Sequence, residues 1–109
     1  MNIKGKVALI TGSAKRIGLA IATELARRGA RIGIHYRSDE GEAEEALKMV
    51  RDAGGDGVVL RAELTDARAV DAMFDSVRVL GGLDILINNA STFAPATAAE
   101  TTASRGTGG

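Results

Sequence analysis

Short apolar runs alternate with amphipathic stretches along most of this chain. Residues 6–11 (KVALIT) form a continuous apolar run, the pattern of a strand buried on both faces. A glycine-containing turn occupies residues 12–16, and residues 17–28 read as a helix. Ile17, Ala20, Ile21 and Leu25 fall on one face of it, while Glu24 and Arg28 are spaced to pair at i,i+4 on another. Gly29 stands where a helix end favours a left-handed residue. Residues 31–36 (RIGIHY) predict the second strand. Asp39 is placed to cap the next helix, with Glu42 three residues on completing a capping box. Ala43, Ala46, Leu47 and Val50 make that helix's apolar stripe, and Gly54 and Gly55 end it. Residues 57–62 predict a third strand, and Thr65 or Asp66 caps a third helix whose stripe is Val70, Met73, Phe74, Val77 and Leu80. Gly81 and Gly82 stop it, and residues 83–88 (LDILIN) predict the fourth strand.

The order is β-α-β-α-β-α-β. A helix between each pair of strands implies right-handed crossovers and a parallel sheet. The expected fold is therefore α/β, the N-terminal half of a Rossmann-type three-layer fold with helices on both faces of the sheet. The character changes from Ser91. Residues 97–109 (TAAETTASRGTGG) carry almost no apolar anchors and are expected to be a disordered tail. That leaves residues 1–96 as a single nucleotide-binding half-domain, in keeping with a chain of 109 residues.

Composition adds exclusions. With 45% hydrophobic and 26% charged residues the chain is ordinary for a soluble globular protein. Aromatic residues are only 3%, so the core must come from Val, Ile, Leu and Ala. A formal net charge of zero argues against a nucleic-acid or anionic-membrane binder. The absence of cysteine rules out disulfides and thiolate metal sites, and the single histidine, His35, cannot build a metal site alone. No apolar run approaches the roughly 20 residues that span a bilayer, and the N-terminus lacks a secretory h-region. A cytoplasmic location is the expectation.

In an open parallel sheet, ligands bind beyond the carboxyl ends of the strands. Four segments end at that edge: residues 11–18, 35–38, 62–64 and 88–91. In the first, Gly12 permits a tight turn and Gly18 a close approach of the helix, so that free N–H groups and the helix dipole face an incoming pyrophosphate. The literal G-x-G-x-x-G is absent, and a plain β-α turn that carries glycine is the competing reading. A nucleoside-triphosphate loop needs Lys-Ser/Thr after its last glycine, where this chain has Leu19-Ala20. The second segment bears on the cofactor. NAD sites place an acidic residue at the end of strand two, whereas a 2′-phosphate needs a cation there. Here Arg37 offers a planar guanidinium fork and Ser38 a hydroxyl, with Arg16 expected nearby, which favours NADP(H) over NAD(H). The alternatives are that Arg37 is a solvated loop charge, and that Asp39 reaches an NAD ribose rather than capping its helix.

Over about residues 4–96 the chain resembles the short-chain dehydrogenase/reductase family. The family's Thr-Gly-x-x-x-Gly-x-Gly is matched by Thr11, Gly12 and Gly18, with Arg16 at the middle glycine. Its Asn-Asn-Ala-Gly appears as Asn88-Asn89-Ala90-Ser91. These two departures, with the Arg37-Ser38 pair, are similar to the pteridine reductases. The resemblance implies that Gly12, Ser13, Lys15, Arg16, Ile17 and Gly18 form the cofactor's first turn. It implies that Arg16, Arg37, Ser38 and the strand end His35-Tyr36 surround the 2′-phosphate. Glu63 and Leu64, standing for the family's Asp-Leu or Asp-Val, would lie near the adenine. Asn88 and Ala90 would meet the ribose side through their backbone. Ser91 and Phe93 would line the substrate pocket, Phe93 stacking on a pterin-like heterocycle or simply packing its loop.

The family's chemistry, as the resemblance implies it, rests on Tyr-x-x-x-Lys after a fifth strand. The Tyr delivers a proton, and the Lys lowers its pKa and binds the cofactor ribose. Here the single tyrosine is Tyr36, and Glu40 stands four residues on, so no catalytic residue is assigned. The expectation is the cofactor half of an NADPH-dependent oxidoreductase acting on C=O or C=N, truncated before its catalytic pair and inactive alone. The alternative is a non-catalytic NADP(H)-binding module or an inactive fragment. A small-molecule substrate belongs to the parent enzyme. Strand four, internal to the family's sheet, becomes an edge with Ile85, Leu86 and Ile87 poorly covered, so marginal stability or self-association is expected.

Overall fold

The computed structural model describes residues 2–14 and 16–89. The expectations placed on Lys15, Ala90, Ser91, Phe93 and residues 97–109 lie outside the described residues, as does the boundary at residue 96. The elements are β1 (Val7–Thr11), α1 (Arg16–Arg27), β2 (Arg31–Tyr36), α2 (Glu40–Asp52), β3 (Asp56–Arg61), α3 (Ala67–Val77), a 3-10 turn (Arg78–Leu80) and β4 (Ile85–Asn88). All strand pairs are parallel, in the order β3-β2-β1-β4. This is the Rossmann-type arrangement that the alternation of elements predicts.

The hydrophobic pattern explains the layers. β1 is buried along its whole length because it is central, between β2 and β4. Ala8 and Ile10 point to one side, where they pack with Ile32 and Ile34 of β2, Ala22 and Ala26 of α1, and Ala46, Leu47 and Val50 of α2. Leu9 points to the other side, against Leu60, Val70, Met73 and Val77. So α1 and α2 cover one face and α3 the other. With so few aromatics, alanine-lined helix faces close on the sheet to fill the space, as close packing demands.

Element ends differ from the sequence reading by one or two residues, each for a local reason. β3 stops at Arg61, one residue early, and the Ala62 carbonyl faces the His35 ring. β4 starts at Ile85 rather than at residue 83. Asp84 is engaged with the first residue of β1: its carboxylate accepts from Val7 N–H at 2.9 Å, and its own N–H donates to Val7 O at 2.9 Å. Of the two candidate caps for α3, Asp66 serves, accepting from Arg68 N–H at 3.0 Å and Ala69 N–H at 3.4 Å. The α3 stripe extends to Leu80 through the 3-10 turn, whose Leu80 carbonyl accepts from the Arg31 guanidinium at 2.8 Å. No described helix is long and apolar enough to cross a membrane.

Candidate functional site

β2 and β3 lie on one side of β1 and β4 on the other, so the chain switches direction between β1 and β4. Such a switch point opens a crevice at the carboxyl edge, the usual ligand position in this architecture. Thr11, at the end of β1, is fully buried there. Its hydroxyl donates to Asn88 Oδ1 at 2.9 Å and accepts from Asn89 N–H at 2.9 Å, and Asn89 Nδ2 donates to Gly12 O at 3.3 Å. These bonds tie the first turn to the end of β4.

His35 ties the same turn to β2 and β3. Gly12 N–H donates to His35 Nδ1 at 2.8 Å, and His35 Nε2 lies 2.9 Å from Ala62 O. Because Nδ1 accepts, the proton sits on Nε2 and is donated to the carbonyl, so the ring is neutral. Ser13 N–H donates to His35 O at 3.1 Å, and Ser13 Oγ accepts from His35 N–H at 2.9 Å. Burial pushes the imidazole pKa below its ordinary 6.5, against the Ala62 bond and the Glu63 charge, which both raise it. The amides of Gly12 and Ser13, expected to face a phosphate, are therefore committed to His35. At the start of a helix the leading N–H groups have no internal partners, and at α1 these are the groups left to meet an anion among the described residues of the turn.

The two glycine positions of the turn act differently. Gly12 turns the chain at φ +66°. At Gly18, an added Cβ would stand 2.3 Å from Gly12 O and 2.8 Å from Asn89 Nδ2, so the absent side chain lets α1 close against its own turn. This cradle is filled by protein atoms. Arg16 opens α1 at φ +58°, a left-handed conformation that costs a non-glycine residue about 1 kcal/mol. Its side chain lines a groove of about 360 Å³ with Thr23, Glu24 and Arg27 of α1 and Met49 of α2. Ile17 is exposed.

Arg37 and Ser38 are exposed just past β2. The Arg37 Nε–H donates to Glu63 Oε2 at 2.8 Å. The Thr65 hydroxyl donates to Glu63 Oε1 at 3.4 Å. Asp39 caps α2, accepting from Glu42 N–H at 3.0 Å, which favours the capping role over an approach to a ribose. Tyr36 is buried, and Leu64 packs in the core beneath α3. Three residues of the edge were not singled out from sequence for this site. Thr11 and Asn89 bond across the switch point, and Arg61 donates to Arg37 O at 3.3 Å from the register position opposite Tyr36. The family motifs contain Thr11 and Asn89, but only the strand order makes them neighbours. Among the described residues no group of three or more His, Asp or Glu could hold a metal ion.

The family profile for short chain dehydrogenases matches residues 6–106. Over 92 residues the chain is 40% identical to the short-chain dehydrogenase/reductase homolog YusS of Bacillus subtilis, covering 84% of each. It is 38% identical over 90 residues to 3beta-hydroxysteroid dehydrogenase 1 of Eggerthella lenta, covering 82% of this chain and 34% of that one. Two solved structures match at a TM-score of 0.76. One is a Burkholderia cenocepacia protein with bound NADP, 42% identical, with 80% of this chain and 34% of that chain covered. The other is the NADH-dependent reductase A1-R′ complexed with NAD, 41% identical, with 83% and 38% covered. YusS apart, the chain spans little more than a third of the length of these relatives.

Proposed function

The chain belongs to the short-chain dehydrogenase family, and on that premise we propose that residues 1–96 form the NADP(H)-holding half of an oxidoreductase acting on a C=O or C=N bond. The observation that carries the reading is the carboxyl edge itself. The N-terminus of α1 meets the crevice between β1 and β4, and Arg37 and Ser38 follow β2. In this reading the leading amides of α1, at Ile17 and Gly18, take the pyrophosphate, with Lys15 and Arg16 as cations beside it. Arg37 and Ser38 take the 2′-phosphate, Glu63 lies by the adenine, and Asn88 and Ala90 meet the ribose through their backbone. Gly12, Ser13 and His35 act indirectly, by holding the turn. The cofactor supplies the hydride. A pterin-like heterocycle is the proposed substrate, bounded by Ser91 and Phe93. Relatives with NADP and with NAD bound support a nicotinamide dinucleotide. The Arg37-Ser38 pair supports NADP(H) as the preferred one.

The 109 residues contain no Tyr-x-x-x-Lys. The reading for this polypeptide alone is therefore cofactor binding without turnover, and the second reading is a non-catalytic NADP(H)-binding module. Fluorescence titration of the purified chain with NADPH and NADH, alongside Arg37→Ala, tests the proposal. NADPH is expected to bind more tightly than NADH, and Arg37→Ala to weaken NADPH about tenfold or more while leaving NADH nearly unchanged. A folded sample that binds neither cofactor, or an Arg37→Ala that binds NADPH as before, overturns it.

A further inference from the structure

We infer that Glu63 sets how strongly this chain discriminates NADP(H) from NAD(H), by occupying the Arg37 guanidinium that a 2′-phosphate requires; this rests on the cofactor reading above. Family resemblance gives Glu63 only the adenine. The geometry gives its carboxylate another partner, the Arg37 Nε–H at 2.8 Å. A guanidinium binds an oxyanion best with two parallel N–H groups, and one of its bidentate edges includes Nε. With Glu63 on that edge, an incoming phosphate is left the outer edge of the fork. Thr65 donates to the other Glu63 oxygen at 3.4 Å, which helps hold the carboxylate in place.

The charges around this corner point the same way. Arg61 adds a second cation, bonded to the Arg37 carbonyl. Against the two arginines stand Glu63 and, directly after Ser38, Asp39 and Glu40. The Asp39 carboxylate faces its own helix amide, whereas the Glu63 carboxylate faces the guanidinium. A 2′-phosphate brings close to two negative charges to a cation already neutralised, beside a like charge. A 2′-hydroxyl brings none. The corner therefore lowers the advantage of NADP(H) without abolishing it. The adenine is common to both cofactors, so an adenine contact moves both affinities together, and only the Arg37 contact changes their ratio.

The test is a double-mutant cycle on the whole chain, with dissociation constants for NADPH and NADH measured for wild type, Glu63→Gln, Arg37→Ala and the double variant, each checked for fold by circular dichroism. Glu63 is about half exposed, and glutamine keeps its shape without its charge. Glu63→Gln is expected to raise the preference for NADPH, read as the ratio of the NADH to the NADPH dissociation constant, about three- to tenfold. The gain should vanish in the Arg37→Ala background and shrink at high salt, where exposed charges are screened. A parallel loss of both affinities, an unchanged ratio, or a gain that survives Arg37→Ala overturns the inference and leaves the cofactor reading standing. Wild type that binds neither cofactor overturns the cofactor reading itself, and the inference with it.

Discussion

The His35 ring accepts from Gly12 N–H through Nδ1 and donates to the Ala62 carbonyl through Nε2, so both bonds exist together only while the ring is neutral. A second proton would set an N–H at Nδ1 against the Gly12 N–H. Burial holds the folded pKa below the ordinary 6.5. As pH falls, the unfolded chain therefore takes up the proton first. The stability this ring contributes is complete above about pH 6.5 and is lost below it, through the folded pKa, at about 1.4 kcal/mol per pH unit. Glu24, held low by Arg28, and Asp56, held low by the Gly57 amide, lose their contributions only in the lower carboxylate range. Urea midpoints between about pH 8 and pH 5.5 should fall for wild type and stay level for His35→Gln. Equal slopes for the two proteins would show that the ring does not titrate in this way. From sequence, His35 was one residue of a strand end. Its use of both nitrogens depends on Gly12 and Ala62, from the ends of two other strands, and no local pattern encodes that meeting.

At the scale of elements, the stripes of α2 and α3 and the buried β1 were legible. By contrast, α1 buries Gly18, Ala22 and Ala26 and exposes Ile17 and Ala20 of its expected stripe, because its small residues are the ones that close on the sheet. The ends were less legible. β4 loses its first two expected residues to the approach of Asp84 to Val7, across 77 positions of chain. The packing of α1 on its own turn was partly legible, since glycine at position 18 signals a close approach, but what it approaches was not. The structure identifies protein atoms, Gly12 O and Asn89 Nδ2. Gly18→Ala is therefore expected to lower stability by about 1–3 kcal/mol through overpacking. Gly41→Ala, in α2, meets only ordinary contact with Asp39 Oδ1 at 3.4 Å, and is expected to raise stability by about 0.5 kcal/mol. Chemical denaturation of the two variants checks both signs; a neutral Gly18→Ala would mean that α1 shifts readily.

For the whole molecule, β3 and β4 are the outer strands of the described sheet. β3 begins and ends in charge, at Asp56 and Arg61, whereas β4 carries Ile85, Leu86 and Ile87, all half-buried. An apolar outer strand is a template for pairing with another chain. Sedimentation velocity over a range of concentrations is expected to show association of this polypeptide; a single monomeric species throughout, with cooperative unfolding, would refute it. At this scale the sequence alone determined the α/β class, the parallel sheet and the edge where a ligand would sit. Those follow from period, length and glycine placement, which are local quantities. The strand-end residues it proposed, His35, Arg37 and Glu63, do lie at that edge. Tertiary structure decided their partners: Glu63 on the Arg37 guanidinium, and the Gly12 amide on His35 instead of facing solvent. Charge and hydrogen-bond partners are chosen by distance in space. The strand order β3-β2-β1-β4 brings residues 12, 35, 62 and 89 into one cluster that their separation along the chain conceals.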